Sequence, residues 1–226
     1  MKIFLDSANL AEIKYWLDMG LIDGVTTNPS ILLKDGAKGD TVETAASAIT
    51  YEIGDLPLSV EVTTDDLEEM GYQARELNRI ATNIVVKIPQ ITMRGEPCYG
   101  IMRGLEESGI KVNATVAMSL SHVILSEKAG ATYISIFAGR VGDEGGDSTQ
   151  LIKDAHEYLV MCDDYPDKGQ LIVGSIRSVK DVLDAVKAGA DIVTIPPPIL
   201  KKMCDHQFAR ETVRQFLNDA KKATGG

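Results

Sequence analysis

The feature that most constrains this chain is a beat of short apolar runs separated by longer amphipathic stretches. The strand candidates are residues 2–6 (KIFLD), 24–28 (GVTTN), 58–62 (LSVEV), 83–88 (NIVVKI), 111–115 (KVNAT), 133–137 (YISIF), 171–175 (LIVGS) and 191–195 (DIVTI). Most are rich in Val and Ile and read as continuously apolar, as strands covered on both faces do. Helical patterns fill the intervals, at 8–19, 40–52, 65–80, 98–108, 118–129, 147–161, 178–188 and 198–203. A last amphipathic helix covers 207–222. Eight strands alternating with helices predict a parallel sheet. In 226 residues that sheet is expected to close into a single-domain (β/α)8 TIM barrel of the α/β class, a fold of roughly 250 residues. An open doubly wound sheet is the competing architecture, but no GxGxxG fingerprint follows any strand. The expected division is a barrel over 1–205 and a C-terminal helix over 206–226.

Composition narrows the function classes. A hydrophobic content of 44% is ample for a full core, and a net charge of -10 argues against nucleic-acid or anionic-membrane partners. Cys98, Cys162 and Cys204 are far apart, with neither a disulfide framework nor zinc spacing, which fits a reducing, cytoplasmic setting. His122, His156 and His206 share no ligand spacing, so no metal is expected. The N-terminal apolar run is broken at Asp6 and does not read as a signal peptide.

Barrel enzymes work at the C-terminal ends of their strands. Polar residues crowd those positions here: Asp6, Thr26, Asn28, Glu61, Lys87, Asn113, Thr115, Ser135 and Ser175, with Arg140 and Arg177 just beyond. An unpaired buried polar group costs roughly 1–3 kcal/mol, so a converging cluster explains them better than packing does. Lys87 is the sharpest signal, because it alone among the lysines sits late in a strongly apolar strand, IVVKIP. Burial disfavours the ammonium and supplies a neutral amine able to attack a carbonyl. A structural pairing of Lys87 with Asp6 or Glu61 is the competing explanation, and Asp6 also reads as a helix cap. Arg140, Ser175 and Arg177 form a candidate anion clamp, since guanidinium groups grip phosphate in a bidentate way. GDEGGDS (142–148) lacks the ending of a phosphate-binding P-loop and reads as a turn that leads into a helix cap, with a lid as the alternative.

FLDSAN, DGVTTNPS (23–30), SVEV (59–62), VVKIP (85–89), VNAT (112–115), YISIFAGR (133–140) and VGSIRS (173–178) together resemble the transaldolase family. The likeness is to its short subfamily, which also holds the fructose-6-phosphate aldolases, and it covers nearly the whole chain. It implies that Lys87 forms a Schiff base with a sugar ketone. It implies that Asp6 and Glu61 act as acid/base groups and that Thr115 helps hold a catalytic water. Asn28, Asn113 and Ser135 match residues that hold the dihydroxyacetone part, with Thr26 beside them. Arg140, Ser175 and Arg177 match the phosphate site. No cofactor is implied. Phosphorylated sugars are the implied partners, and a homo-oligomer, pentamer or decamer, is implied with the C-terminal helix reaching a neighbour.

Two positions bear on the reaction. The subfamily's aldolases carry Gln at the position of Glu61 and Tyr at that of Phe137, so this chain is similar to the transferases. The alternatives are a lyase that releases free dihydroxyacetone, a transaldolase specialised for another anionic sugar, and a non-catalytic phosphosugar-binding barrel. The chain departs from the family's usual pattern in a longer loop over 89–100, with Arg94 in it, and in VNATVAMS, which replaces a more usual bulky apolar run. The loop reads either as a surface insertion or as a determinant of the sugar accepted.

Overall fold

The computed structural model describes residues 1–35, 41–162 and 168–224. Its strands are β1 (Lys2–Asp6), β2 (Gly24–Thr26), β3 (Leu58–Glu61), β4 (Ile84–Pro89), β5 (Val112–Ala117), β6 (Tyr133–Phe137), β7 (Gln170–Gly174) and β8 (Ile192–Ile195). Each pairs in parallel with the next, and β8 returns to β1, so the sheet closes into a barrel in chain order. The helices are α1 (Leu10–Asp18), α2 (Pro29–Lys34), α3 (Val42–Ile53), α4 (Leu67–Ile80), α5 (Tyr99–Glu107), α6 (Leu120–Lys128), α7 (Ala138–Asp143), α8 (Ser148–Met161), α9 (Val179–Lys187), α10 (Pro197–Cys204) and α11 (Gln207–Ala223). This is a (β/α)8 TIM barrel. Among the described residues no helix is long and apolar enough to cross a membrane.

The alternation of side chains along a strand sorts these residues into two apolar compartments. The larger lies between barrel and helices and holds Leu5, Val25, Val60, Val86, Ile88, Ile134 and Val193 together with Ile13, Met70, Leu105 and Leu159 of the helices. The smaller fills the barrel interior with Phe4, Val85, Tyr133, Ile172 and Ile192. Phe4 meets Tyr133 edge to face, with ring centroids 5.9 Å apart. Gly24 leaves the room for this, because a Cβ there would stand 2.7 Å from the Phe4 ring.

The strands fall close to their expected places. β2 is shorter than expected and stops at Thr26, because Asn28 leaves the sheet to cap α2: its side chain accepts from the Ile31 N–H at 2.9 Å, and Pro29 follows at the first helical position. α2 and α7 were not expected as helices. Each is six residues long, too short to show a helical period. The first residue of the helix expected at 40–52, and the last two of the segment 206–226, lie outside the described residues.

β5 carries a bulge between Ala114 and Ala117 against β6. Within it Val116 adopts a φ of 61°. A β-branched residue pays for that left-handed conformation in strain, and such strain concentrates near functional sites.

The long loop after β4 is an ordered turn. Ile91 and Pro97 bridge antiparallel, Thr92 N–H donates to the Glu96 carbonyl at 2.9 Å, and Met93 N–H donates to the Asp65 carboxylate at 2.8 Å.

Candidate active site

Two residues beyond the apolar plug, each strand offers its next inward position. From Phe4, Val85, Tyr133, Ile172 and Ile192 that step leads to Asp6, Lys87, Ser135, Gly174 and Thr194. All five line one cavity of about 420 Å³ at the C-terminal mouth of the barrel. Thr26, Asn28, Pro29, Ser30, Glu61, Phe137, Arg140 and Ser175 complete its wall. The apolar layer beneath makes this a closed-bottomed cup.

Lys87 is only 4% exposed. Its Nζ donates to the Thr27 carbonyl, just beyond β2, at 2.8 Å. Glu61 and Lys87 are direct partners in the β3–β4 register. Burial pushes the Lys87 amine below the ordinary lysine range, and the charges of Asp6 and Glu61 pull it part of the way back. Burial likewise raises both carboxyls, opposed by the nearby Lys87. Desolvation thus drives all three groups toward neutrality and mutual attraction holds them short of it. Such a set offers a nucleophilic amine beside two carboxyl groups that can take and return a proton.

Hydrogen bonds orient the cup. Thr26 donates to the Asp6 carboxylate at 2.7 Å, and the Thr26 and Thr194 hydroxyls lie 2.5 Å apart. With Asp6 ionised and the Thr26 proton committed to it, Thr194 donates to Thr26, so the chain runs Thr194 to Thr26 to Asp6. On the opposite wall Ser135 donates to Asn113 Oδ1 at 2.6 Å, and Asn113 Nδ2 donates to Ser59 Oγ at 3.1 Å. Asn113 is fully buried and stands behind Ser135 rather than on the cavity wall. The Thr115 hydroxyl is also buried, has no hydrogen-bond partner, and lies off that wall.

The candidate anion groups separate in space. Arg140, on α7, lines the Lys87 cavity and also an outer cavity shared with Val116, Met118 and Val141. Ser175 follows β7 with a φ of 59° and lines the Lys87 cavity. Arg177 lines a different depression, and both ends of its guanidinium are engaged by the Asp143 carboxylate. Of the expected residues, Asp6, Thr26, Asn28, Glu61, Lys87, Ser135, Phe137, Arg140 and Ser175 therefore share one cavity, while Thr115, Asn113 and Arg177 stand outside its wall. Sequence reasoning missed Pro29, Ser30, Gly174 and Thr194. Thr194 carried a signal, since it is the polar residue of an otherwise apolar strand.

Comparison with known proteins adds an independent line. Residues 3–225 match the family model described as Transaldolase/Fructose-6-phosphate aldolase. The chain belongs to this family. A "Probable transaldolase" from Lactiplantibacillus plantarum is 42% identical over 221 residues, covering 98% of this chain and 97% of that one. Another from Methanococcus maripaludis is 41% identical over 219 residues, covering 97% of each chain. The barrel also resembles a solved thiamine phosphate pyrophosphorylase from Pyrococcus furiosus, with a TM-score of 0.57, 13% identity and coverage of 86% and 85% of the two chains. That likeness concerns the fold alone. Within the transaldolase/fructose-6-phosphate aldolase family, the buried lysine between two carboxyls is the feature of this chain on which chemistry can be built.

Proposed function

We propose that this protein is a transaldolase that moves a dihydroxyacetone unit from a ketose phosphate to an aldose phosphate through a Schiff base on Lys87. The observation that carries the reading is the position of the Lys87 amine, buried at the floor of an open cup between Asp6 and Glu61, with Arg140 on the same wall.

In this reading Lys87 Nζ attacks the C2 carbonyl of a ketose such as fructose 6-phosphate, and loss of water leaves an iminium. Glu61 moves the protons of that addition and dehydration. Asp6 takes the proton of the C4 hydroxyl. The C3–C4 bond then breaks, its electron pair passing to the iminium to form an enamine, and the aldose phosphate leaves. The enamine carbon next attacks the aldehyde of an acceptor such as erythrose 4-phosphate, Asp6 returns the proton to the new hydroxyl, and hydrolysis frees the lysine. Arg140 and Ser175 receive the phosphate at the rim. Phe137 brings no proton to the enamine, which therefore waits for an acceptor instead of being released as dihydroxyacetone.

The test is borohydride reduction in the presence of fructose 6-phosphate, followed by peptide mass mapping. The expected result is a stable adduct on Lys87, absent from Lys87→Met. An adduct on another lysine would overturn the assignment. Incubation without acceptor separates transferase from lyase, because rapid release of free dihydroxyacetone would sink the transferase reading.

A further inference from the structure

Arg177 and Asp143 sit where two loops meet at the rim of the cup. Asp143 ends α7, the helix that carries Arg140, and Arg177 follows β7, two residues after Ser175. Gly139 marks how close these segments run. A Cβ on it would lie 2.7 Å from Ser175 Oγ and 2.8 Å from Arg177 Nε. The Ser175 hydroxyl and the Arg177 guanidinium therefore stand beside one another, and Ser175 is on the wall of the Lys87 cavity. Yet the guanidinium fork itself turns away and closes on Asp143. A carboxylate presents two oxygens to that fork in the geometry a phosphate would use. Both partners are about half exposed, at 52% and 44%. Exposed pairs of this kind are weak and exchange readily.

We propose that Asp143 sets the affinity of this rim for phosphate, as an internal anion that occupies Arg177 until a phosphate displaces it. The proposal rests on the transaldolase reading of this cup. Arg140 and Ser175 line the cavity, while Arg177 is held by Asp143. An incoming dianionic phosphate outcompetes a single carboxylate for the fork, and Arg177 turns the short distance past Gly139 to join Ser175. Any anion that engages Arg177 must first displace Asp143, so the pair lowers the affinity of the site by the fraction of Arg177 that Asp143 holds.

The experiment measures binding of inorganic phosphate by calorimetry to the full chain and to Asp143→Asn, Arg177→Gln and the double variant. Loss of so weak a competitor is expected to tighten phosphate binding about two- to fivefold. In the Arg177→Gln background the Asp143→Asn change should have no further effect. In kinetics, Asp143→Asn should lower KM for fructose 6-phosphate. Weaker or unaltered phosphate binding in Asp143→Asn would overturn the proposal, as would an equal gain in the Arg177→Gln background. Because binding is read without turnover, failure to trap Lys87 would strike the transaldolase reading alone. Absence of phosphate binding to the unaltered protein would overturn the proposal and leave the Lys87 trapping to decide the transaldolase reading.

Discussion

The chemistry of this cup turns on the balance at Lys87. Burial lowers its amine, and the neighbouring carboxylates oppose that shift. Neutralising one of those charges therefore lowers the amine further. Schiff-base formation requires the neutral amine, so its rate climbs with pH until the amine is deprotonated and then levels off. In Glu61→Gln the ascending limb of single-turnover adduct formation is expected to move to lower pH than in the unaltered protein, even as the plateau falls through loss of a proton-transfer group worth roughly 10²–10⁴-fold. A limb that stays in place or moves to higher pH would show that Glu61 does not act on Lys87 through its charge. That Lys87, Asp6 and Glu61 share one cup was legible from their places late in apolar strands, although Asp6 alone read equally well as a helix cap. The engagement of Arg177 by Asp143 was not, because Arg177 reads as a phosphate ligand wherever its fork points, and Asp143 sits in a segment that reads as a plain turn.

At the scale of elements, the strands were legible because most are continuous apolar runs, and the long helices because they show an apolar face. α2 and α7 were hidden by their brevity, although DGVTTNPS contains the Asn cap and following Pro that begin α2. α7 matters most, since it brings Arg140 and Asp143 to the rim. Its seat depends on Gly139. A side chain there would place Cβ 2.3 Å from the Ser175 carbonyl, a contact no rotamer can relieve. Gly139→Ala is expected to cost about 1–3 kcal/mol in chemical denaturation, the usual penalty of overpacking. By pushing α7 off the β7–α9 turn it should also raise KM for phosphorylated sugars more than it lowers kcat. Unchanged stability would mean that the two segments are free to separate. The Ser178 cap of α9, a full capping box with Asp181, secures the other side of this junction. Its Ser178→Ala variant should lose about 1 kcal/mol without altering the Lys87 adduct.

The barrel as a whole closes on itself and leaves α11 outside. None of the helix's described residues is buried against the barrel, and Phe208, Val213, Phe216 and Leu217 are 56–67% exposed. Val213, Phe216 and Leu217 recur at the three- and four-residue spacing of one helical stripe. A helix of 17 residues gains little from propensity alone in water, and most helical stability in proteins comes from packing an amphipathic face. An apolar stripe on a helix with no buried residue among the described ones calls for a surface elsewhere, and a second copy of the chain is the surface always at hand. The expectation is that the protein sediments as a homo-oligomer and that Phe216→Glu with Leu217→Glu shifts it to smaller species. No α11 residue lines the Lys87 cavity, so the dissociated variant should keep its barrel circular dichroism and still form the borohydride adduct on Lys87. A monomeric unaltered protein, or an assembly indifferent to both substitutions, would rule out α11 as the contact. Loss of the adduct on dissociation would instead mean that a neighbouring copy completes the rim of the cup.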